Sequence, residues 1–241
     1  MMEITLSQAT SIVRGDDGRG KLYFYGDIVD SWWGAWDNAD QYPDAVRKFL
    51  DKQEGPIDIY VNSAGGNAFA CSAIYNMLKR YPHEKCCYID GLAASAASII
   101  VLAADRIVMP ANAIMMIHRA WSACCGNADE LEGIVRSLKS IDDGMAATYV
   151  EHSGRSREEI LAMMSAETWM NGMEAAELFA KIELSGAIEA ECRAEKSTLQ
   201  HFRNLPEAMA KVINVSDSDT QNKKAKLQAE INLLNMERRI F

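Results

Sequence analysis

The chain has 241 residues, 49% of them hydrophobic and 24% charged, which excludes a disordered or collagen-like polymer and points to one globular domain with or without an appendage. Its 25 Lys and Arg against 34 Asp and Glu give a net charge of −9, so no sequence-independent grip on nucleic acid or an anionic membrane is expected. The start, Met1-Met2-Glu3-Ile4-Thr5, has no basic region followed by an apolar run, and residues 91–104 are too short to span a bilayer, so a cytoplasmic location is expected.

In chain order, residues 21–25 (KLYFY) read as a buried strand, residues 39–52 as a helix, and residues 57–61 (IDIYV), introduced by Gly55-Pro56, as a second strand. A helix follows over 68–80, a strand over 86–89, an alanine-rich helix over 95–104, and short strands over 106–109 and 113–117. This alternation predicts an α/β fold built on a mainly parallel sheet flanked by helices. Residues 127–152 carry Leu131, Ile134, Val135, Leu138, Ile141, Met145 and Tyr149 on one stripe, which predicts a long amphipathic helix that projects or bridges. Ser156 and Glu159 form a capping-box pair that opens another helix. The composition turns polar near Glu189, dividing the chain into a domain over 1–189 and a polar tail over 190–241 with a possible terminal amphipathic helix from Leu227. Six cysteines without CxxC spacing argue against a disulfide framework or a metal site and are expected to be small core residues.

Three segments carry candidate chemistry. Asn62-Ser63-Ala64-Gly65-Gly66-Asn67 joins a strand to a helix, and its paired glycines admit positive φ and close backbone approach to a ligand. In Gly91-Leu92-Ala93-Ala94-Ser95-Ala96-Ala97-Ser98, Ser95 stands at a helix start, either as a nucleophile or as an N-cap, while Ser98 sits one turn on and faces the interior. His118 ends the apolar run Met115-Met116-Ile117, as a base or as a satisfied rim residue; His83, His152 and His201 occupy a turn, a helix end and the tail.

Taken together, in this order and spacing, the three segments resemble the ClpP family of serine peptidases over residues 21–183. The closer likeness is to the ClpP-related head maturation proteases of phages and prophages, on Tyr25-Gly26-Asp27-Ile28, the run from Ile89 to Ser98, Gly126-Asn127-Ala128-Asp129-Glu130-Leu131 and Glu167-Thr168-Trp169-Met170. The resemblance implies a ClpP/crotonase-like fold and a serine endopeptidase. Ser95 would be the nucleophile, His118 the base, the Gly66 and Ala96 amides the oxyanion hole, and Gly65 the residue that shapes the turn. The family aspartate falls on Glu167, with Thr168 beside it as the other candidate for the third position.

The resemblance also implies polypeptide substrates such as capsid or scaffold proteins, no cofactor and no metal. It implies a homo-oligomeric ring, heptameric or stacked, with the long helix at its contacts. The other readings are a housekeeping ClpP homologue served by an ATP-driven unfoldase, a catalytically silent assembly protein, and an acyl-CoA enzyme of the crotonase type, which has no use for this serine and histidine. The chain departs from the family in reading NSAGG for NSPGG, and Leu178-Phe179-Ala180-Lys181 where GFAD usually follows the ETWM helix.

Overall fold

The computed structural model describes residues 12–14, 18–31, 34–35, 40–186 and 202–206. Strands are β1 (Ile12–Arg14), β2 (Gly20–Phe24), β3 (Ile57–Ser63), β4 (Lys85–Ala94), β5 (Arg106–Pro110), β6 (Ile114–Ile117), β7 (Thr168–Asn171) and β8 (Ile182–Ser185). Helices are α1 (Pro43–Leu50), α2 (Ala68–Arg80), α3 (Ala96–Val101), α4 (Ala128–Ser153), α5 (Arg157–Ser165) and α6 (Gly172–Leu178).

The main sheet runs β1-β2-β3-β4-β5-β8, parallel except for the antiparallel edge strand β1. Strands β3 and β4 are buried along most of their length, as strands inside a parallel sheet are. Leu22, Ile57, Ile59, Val61, Cys87 and Ile89 are buried in one core with Ile74 and Leu78 of α2 and Ile100 of α3.

The feature that builds the site lies within β4. Its register against β3 advances from Val61↔Ile89 to Ser63↔Ala93, so Asp90 and Gly91 are accommodated as extra residues at an irregularity. Before it, β4 pairs with β5; after it, Leu92, Ala93 and Ala94 pair with β6, which in turn pairs antiparallel with β7. The Tyr25 hydroxyl donates to Asp90 and ties down the irregularity.

The strand therefore runs on through Ala94, beyond the expected end at Ile89, and the following helix is shorter than the expected 95–104. Leu92 through Ala94, left unassigned between the expected strand and helix, are fully buried. Residues 168–171, which take in Thr168 to Met170 of the ETWM segment, are strand, not helix, held by the β6 ladder.

Helix α4 opens on a capping box between Asn127 and Glu130 and ends at Gly154 in the left-handed conformation. Tyr149 is buried, whereas Leu131 and Val135 near the other end are exposed. Helix α5 has the expected Ser156–Glu159 capping box.

Cys71, Cys86 and Cys87 are core residues, but Cys124 and Cys125 are exposed in the run before α4, contrary to the expectation that the cysteines pack inside. No metal-binding cluster of His, Cys, Asp or Glu occurs among the described residues. No helix among them is long and apolar enough to cross a membrane.

The chain divides into two compact units, Met1–Arg203 and Asn204–Phe241. The tail from 207 onward, with its expected terminal helix, lies outside the described residues, as do Cys192 and His201.

Candidate active site

Strand register brings the three expected side chains into line. Ser95 follows the last residue of β4, His118 follows the last residue of β6, and Glu167 precedes the first residue of β7. Ala94 pairs with Met116, and Ile117 pairs with Thr168, so the three residues leave neighbouring strands at one end.

Ser95 has φ 54 and ψ −124, a backbone conformation that costs a non-glycine residue about 1–3 kcal/mol. Its side chain makes no helix-cap bond, which removes the N-cap reading. Instead Ser95 Oγ lies 2.7 Å from His118 Nε2. Three hydrogen bonds hold the strained residue: its N–H donates to Met116 O at 2.9 Å, and its carbonyl accepts from both the Ser98 N–H at 3.0 Å and the Ser98 hydroxyl at 2.6 Å. Ser98 faces inward as expected, with its Oγ 2.8 Å from the Tyr149 hydroxyl of α4.

The turn before α2 closes the other side. Gly65 has φ 102 and Gly66 φ 142. A Cβ on Gly65 would sit 2.7 Å from Ala94 O, and one on Gly66 would collide with the backbone of Ile28. Both positions thus need glycine for conformation and for space. Gly66 and Ala96 line the same cleft as Ser95 and His118, and the Ala96 amide stands at the first helical position, where no intrahelical acceptor exists.

This cleft has a volume of about 630 Å³. Its apolar lining comes from Phe69, Trp121, Phe202 and the α4 side chains Ile134, Leu138, Ile141 and Met145. Part of the helix stripe predicted to serve subunit contacts therefore faces the reacting groups.

His118 is only 7% exposed, and this burial holds its imidazole below the ordinary histidine value. The negative charges of Glu167 and Asp142 oppose the shift, and Arg203 adds to it. At neutral pH the ring is neutral and free to accept a proton. Asp142 is itself buried, and it takes the Arg119 guanidinium at 3.0 Å and the Ala120 N–H at 2.7 Å, fixing the segment after His118 onto α4.

The buried Glu167 carboxylate accepts from the Trp169 indole N–H at 3.2 Å and from the Arg203 N–H at 2.8 Å. A cavity of about 150 Å³, lined by both His118 and Glu167, connects it to the imidazole, with room for water. The Thr168 hydroxyl is directed elsewhere, donating to Met163 O at 2.7 Å. Between the two candidates for the third position, the charge that acts on His118 is that of Glu167.

Sequence reasoning missed Phe202. Its ring is 8% exposed and meets the His118 ring edge to face at 5.3 Å and the Trp169 ring at 5.5 Å. The available signal was a large aromatic residue, flanked by Leu199 and Leu205, in an otherwise polar stretch. Lys181, which ends the segment that departs from the family's GFAD, donates its ammonium to Ala104 O at 3.1 Å.

A buried imidazole against a strained serine, in a cleft that Gly66 and Ala96 also line, defines a site for nucleophilic attack by a hydroxyl. The comparisons agree: residues 47–178 match the family model described as Clp protease, and the chain belongs to that family. Curated relatives carry the name ATP-dependent Clp protease proteolytic subunit. That of Bacteroides fragilis is 29% identical over 124 residues, covering 50% of this chain and 59% of the relative. The proteolytic subunit 2 of Treponema denticola is 34% identical over 125 residues, covering 51% and 62%. The chain thus spans about six tenths of the length of the curated relatives it matches. Among solved structures, a ClpP1 mutant from Listeria monocytogenes shares the fold, with a TM-score of 0.56, 22% identity, and coverage of 68% of this chain and 91% of that one.

Proposed function

We propose that the chain is a serine endopeptidase that cleaves extended polypeptides without a cofactor, with Ser95 as nucleophile and His118 as general base. The observation that carries this reading is the 2.7 Å contact of His118 Nε2 with Ser95 Oγ at the mouth of the apolar cleft. As Ser95 Oγ attacks the scissile carbonyl, His118 Nε2 takes its proton, and the oxyanion forms beside the Gly66 and Ala96 amides. Collapse of the tetrahedral adduct breaks the C–N bond, and the imidazolium protonates the departing amine. Water then repeats the sequence on the ester, releasing the acid and restoring Ser95. Glu167 stabilises the imidazolium by its charge, directly or through water in the cavity they share.

The substrates in this reading are capsid or scaffold polypeptides, as in the phage and prophage head maturation proteases that the chain resembles, and the working form is a homo-oligomeric ring. The exposed Leu131 and Val135 of α4 support an oligomer, since such side chains gain from cover. The relatives' names favour a second reading, a proteolytic subunit served by an ATP-driven unfoldase.

One assay separates the two. The purified chain is incubated with an unfolded protein, with and without nucleotide and unfoldase, beside Ser95→Ala. Cleavage by the chain alone, absent in Ser95→Ala, supports the first reading; cleavage only with the unfoldase and ATP supports the second; cleavage by Ser95→Ala overturns both.

A further inference from the structure

The family match ends at residue 178, yet two residues beyond it touch the reacting groups. The Phe202 ring lies edge to face on the His118 imidazole, with an angle of 87° between the planes, and wedges also against Trp169 at 80°. The next peptide N–H, that of Arg203, donates to Glu167 Oε2, while the Trp169 indole holds Oε1. Phe202 also lines the cleft that holds Ser95. These contacts form one continuous row: carboxylate, indole, phenyl ring, imidazole.

We infer that Phe202 and Arg203 are positioning residues for the Ser95–His118 pair, Phe202 holding the imidazole plane and shielding it from water, and the Arg203 amide fixing the Glu167 carboxylate beside it. The inference rests on the reading of Ser95 and His118 as the working pair. A segment outside the family's common stretch thereby completes the site. An imidazole without that wall would turn more freely about its side-chain bonds, and a small loss of alignment at a nucleophile is amplified in rate.

Water exclusion gives the inference a signature that a merely structural role lacks. The charges facing His118 are Glu167 ahead of β7, Asp142 on α4 with its partner Arg119, and Arg203. Phe202→Ala alters none of them chemically and hydrates the ring, so the proton affinity of His118 rises. Any displacement of Arg203 that accompanies the change acts in the same direction.

The test measures the second-order rate of inactivation by diisopropyl fluorophosphate as a function of pH, with melting curves, on full-length wild type, Phe202→Ala and Phe202→Leu. Phe202→Ala is expected to lower the plateau rate about tenfold and to move the acid midpoint upward, towards the ordinary histidine value near 6.5. Phe202→Leu, which restores apolar bulk without the ring edge, should recover most of the rate and show a smaller upward displacement of the midpoint. A Phe202→Ala protein with wild-type midpoint and rate overturns the inference, as does a rate loss with an unmoved midpoint. If Phe202→Ala does not fold, Phe202→Leu decides: a midpoint above wild type supports the inference, and an unmoved one overturns it. A wild type that the reagent does not inactivate at Ser95 overturns the proposed function instead, and so is told apart.

Discussion

Ser98 and Tyr149 offer a test of how the fold holds the strained Ser95. Both side chains are completely buried. The Ser98 hydroxyl gives its one proton to Ser95 O at 2.6 Å, so the Tyr149 hydroxyl, 2.8 Å away, must donate to Ser98 Oγ. Ser98→Ala strands the phenol with no acceptor from Ser98, and the cost of such a buried donor is about 2 kcal/mol, or about 4–8 °C in melting temperature for a domain of this size. Tyr149→Phe costs less, about 1 kcal/mol, because the Ser98 hydroxyl keeps its bond to Ser95 O.

The double variant leaves no stranded group, so it should be scarcely less stable than Tyr149→Phe alone, and the cycle should show coupling of about 1 kcal/mol or more. Chemical activity is a separate matter. Ser95 O retains the Ser98 N–H at 3.0 Å, so labelling of Ser95 by a fluorophosphonate should stay within about threefold of wild type in all three variants. The assay is thermal unfolding at fixed protein concentration, paired with labelling rates. Additive stability losses would refute the relay, and loss of labelling in Ser98→Ala would show that the nucleophile has been misassigned.

Gly66→Ala is expected to lower the labelling rate by about a hundredfold or more, because a Cβ there collides with the backbone of Ile28 and displaces an oxyanion amide; a rate within threefold of wild type argues against that donor. Glu167→Gln removes the charge that supports the imidazolium and should lower kcat by about a hundredfold or more, while Thr168→Val, whose hydroxyl serves Met163 O, should affect chiefly stability; the reverse pattern would transfer the third role to Thr168. His118 and His152 both have folded-state proton affinities lowered mainly by burial. The folded state thus binds fewer protons than the unfolded one, so their contribution is complete above about pH 6.5 and is lost as the pH falls through the folded values. Melting temperature should therefore decline below about pH 6.5, and a profile flat down to pH 5 would show that neither group is perturbed.

Much of this was legible because local physics and tertiary context agree. Helix α2 has the bounds its spacing predicts, α4 matches the predicted 127–152 to within a residue at each end, and α5 begins at the capping box that Ser156 announces. The second half of β4 was not legible, since Gly91 and the alanines after it have weak strand preference and become strand only through pairing with β6. The same holds for β7, whose four residues depend on the β6 ladder. Ser95 and His118 were visible from their motifs, but the strained conformation of Ser95 has no sequence mark of its own. Phe202 was hidden because the polar composition around it gives no sign that this ring turns inward. Cys124 and Cys125 misled by composition, as small apolar character says nothing about which face of a loop is covered.

The most direct test of the central claim is peptide mapping by mass spectrometry after treating the full chain with a fluorophosphonate at neutral pH. The account predicts a single phosphonyl adduct on Ser95, abolished in Ser95→Ala and reduced by at least about a hundredfold in His118→Ala. An unmodified wild type, or an adduct on Ser95 that forms equally fast without His118, would contradict it.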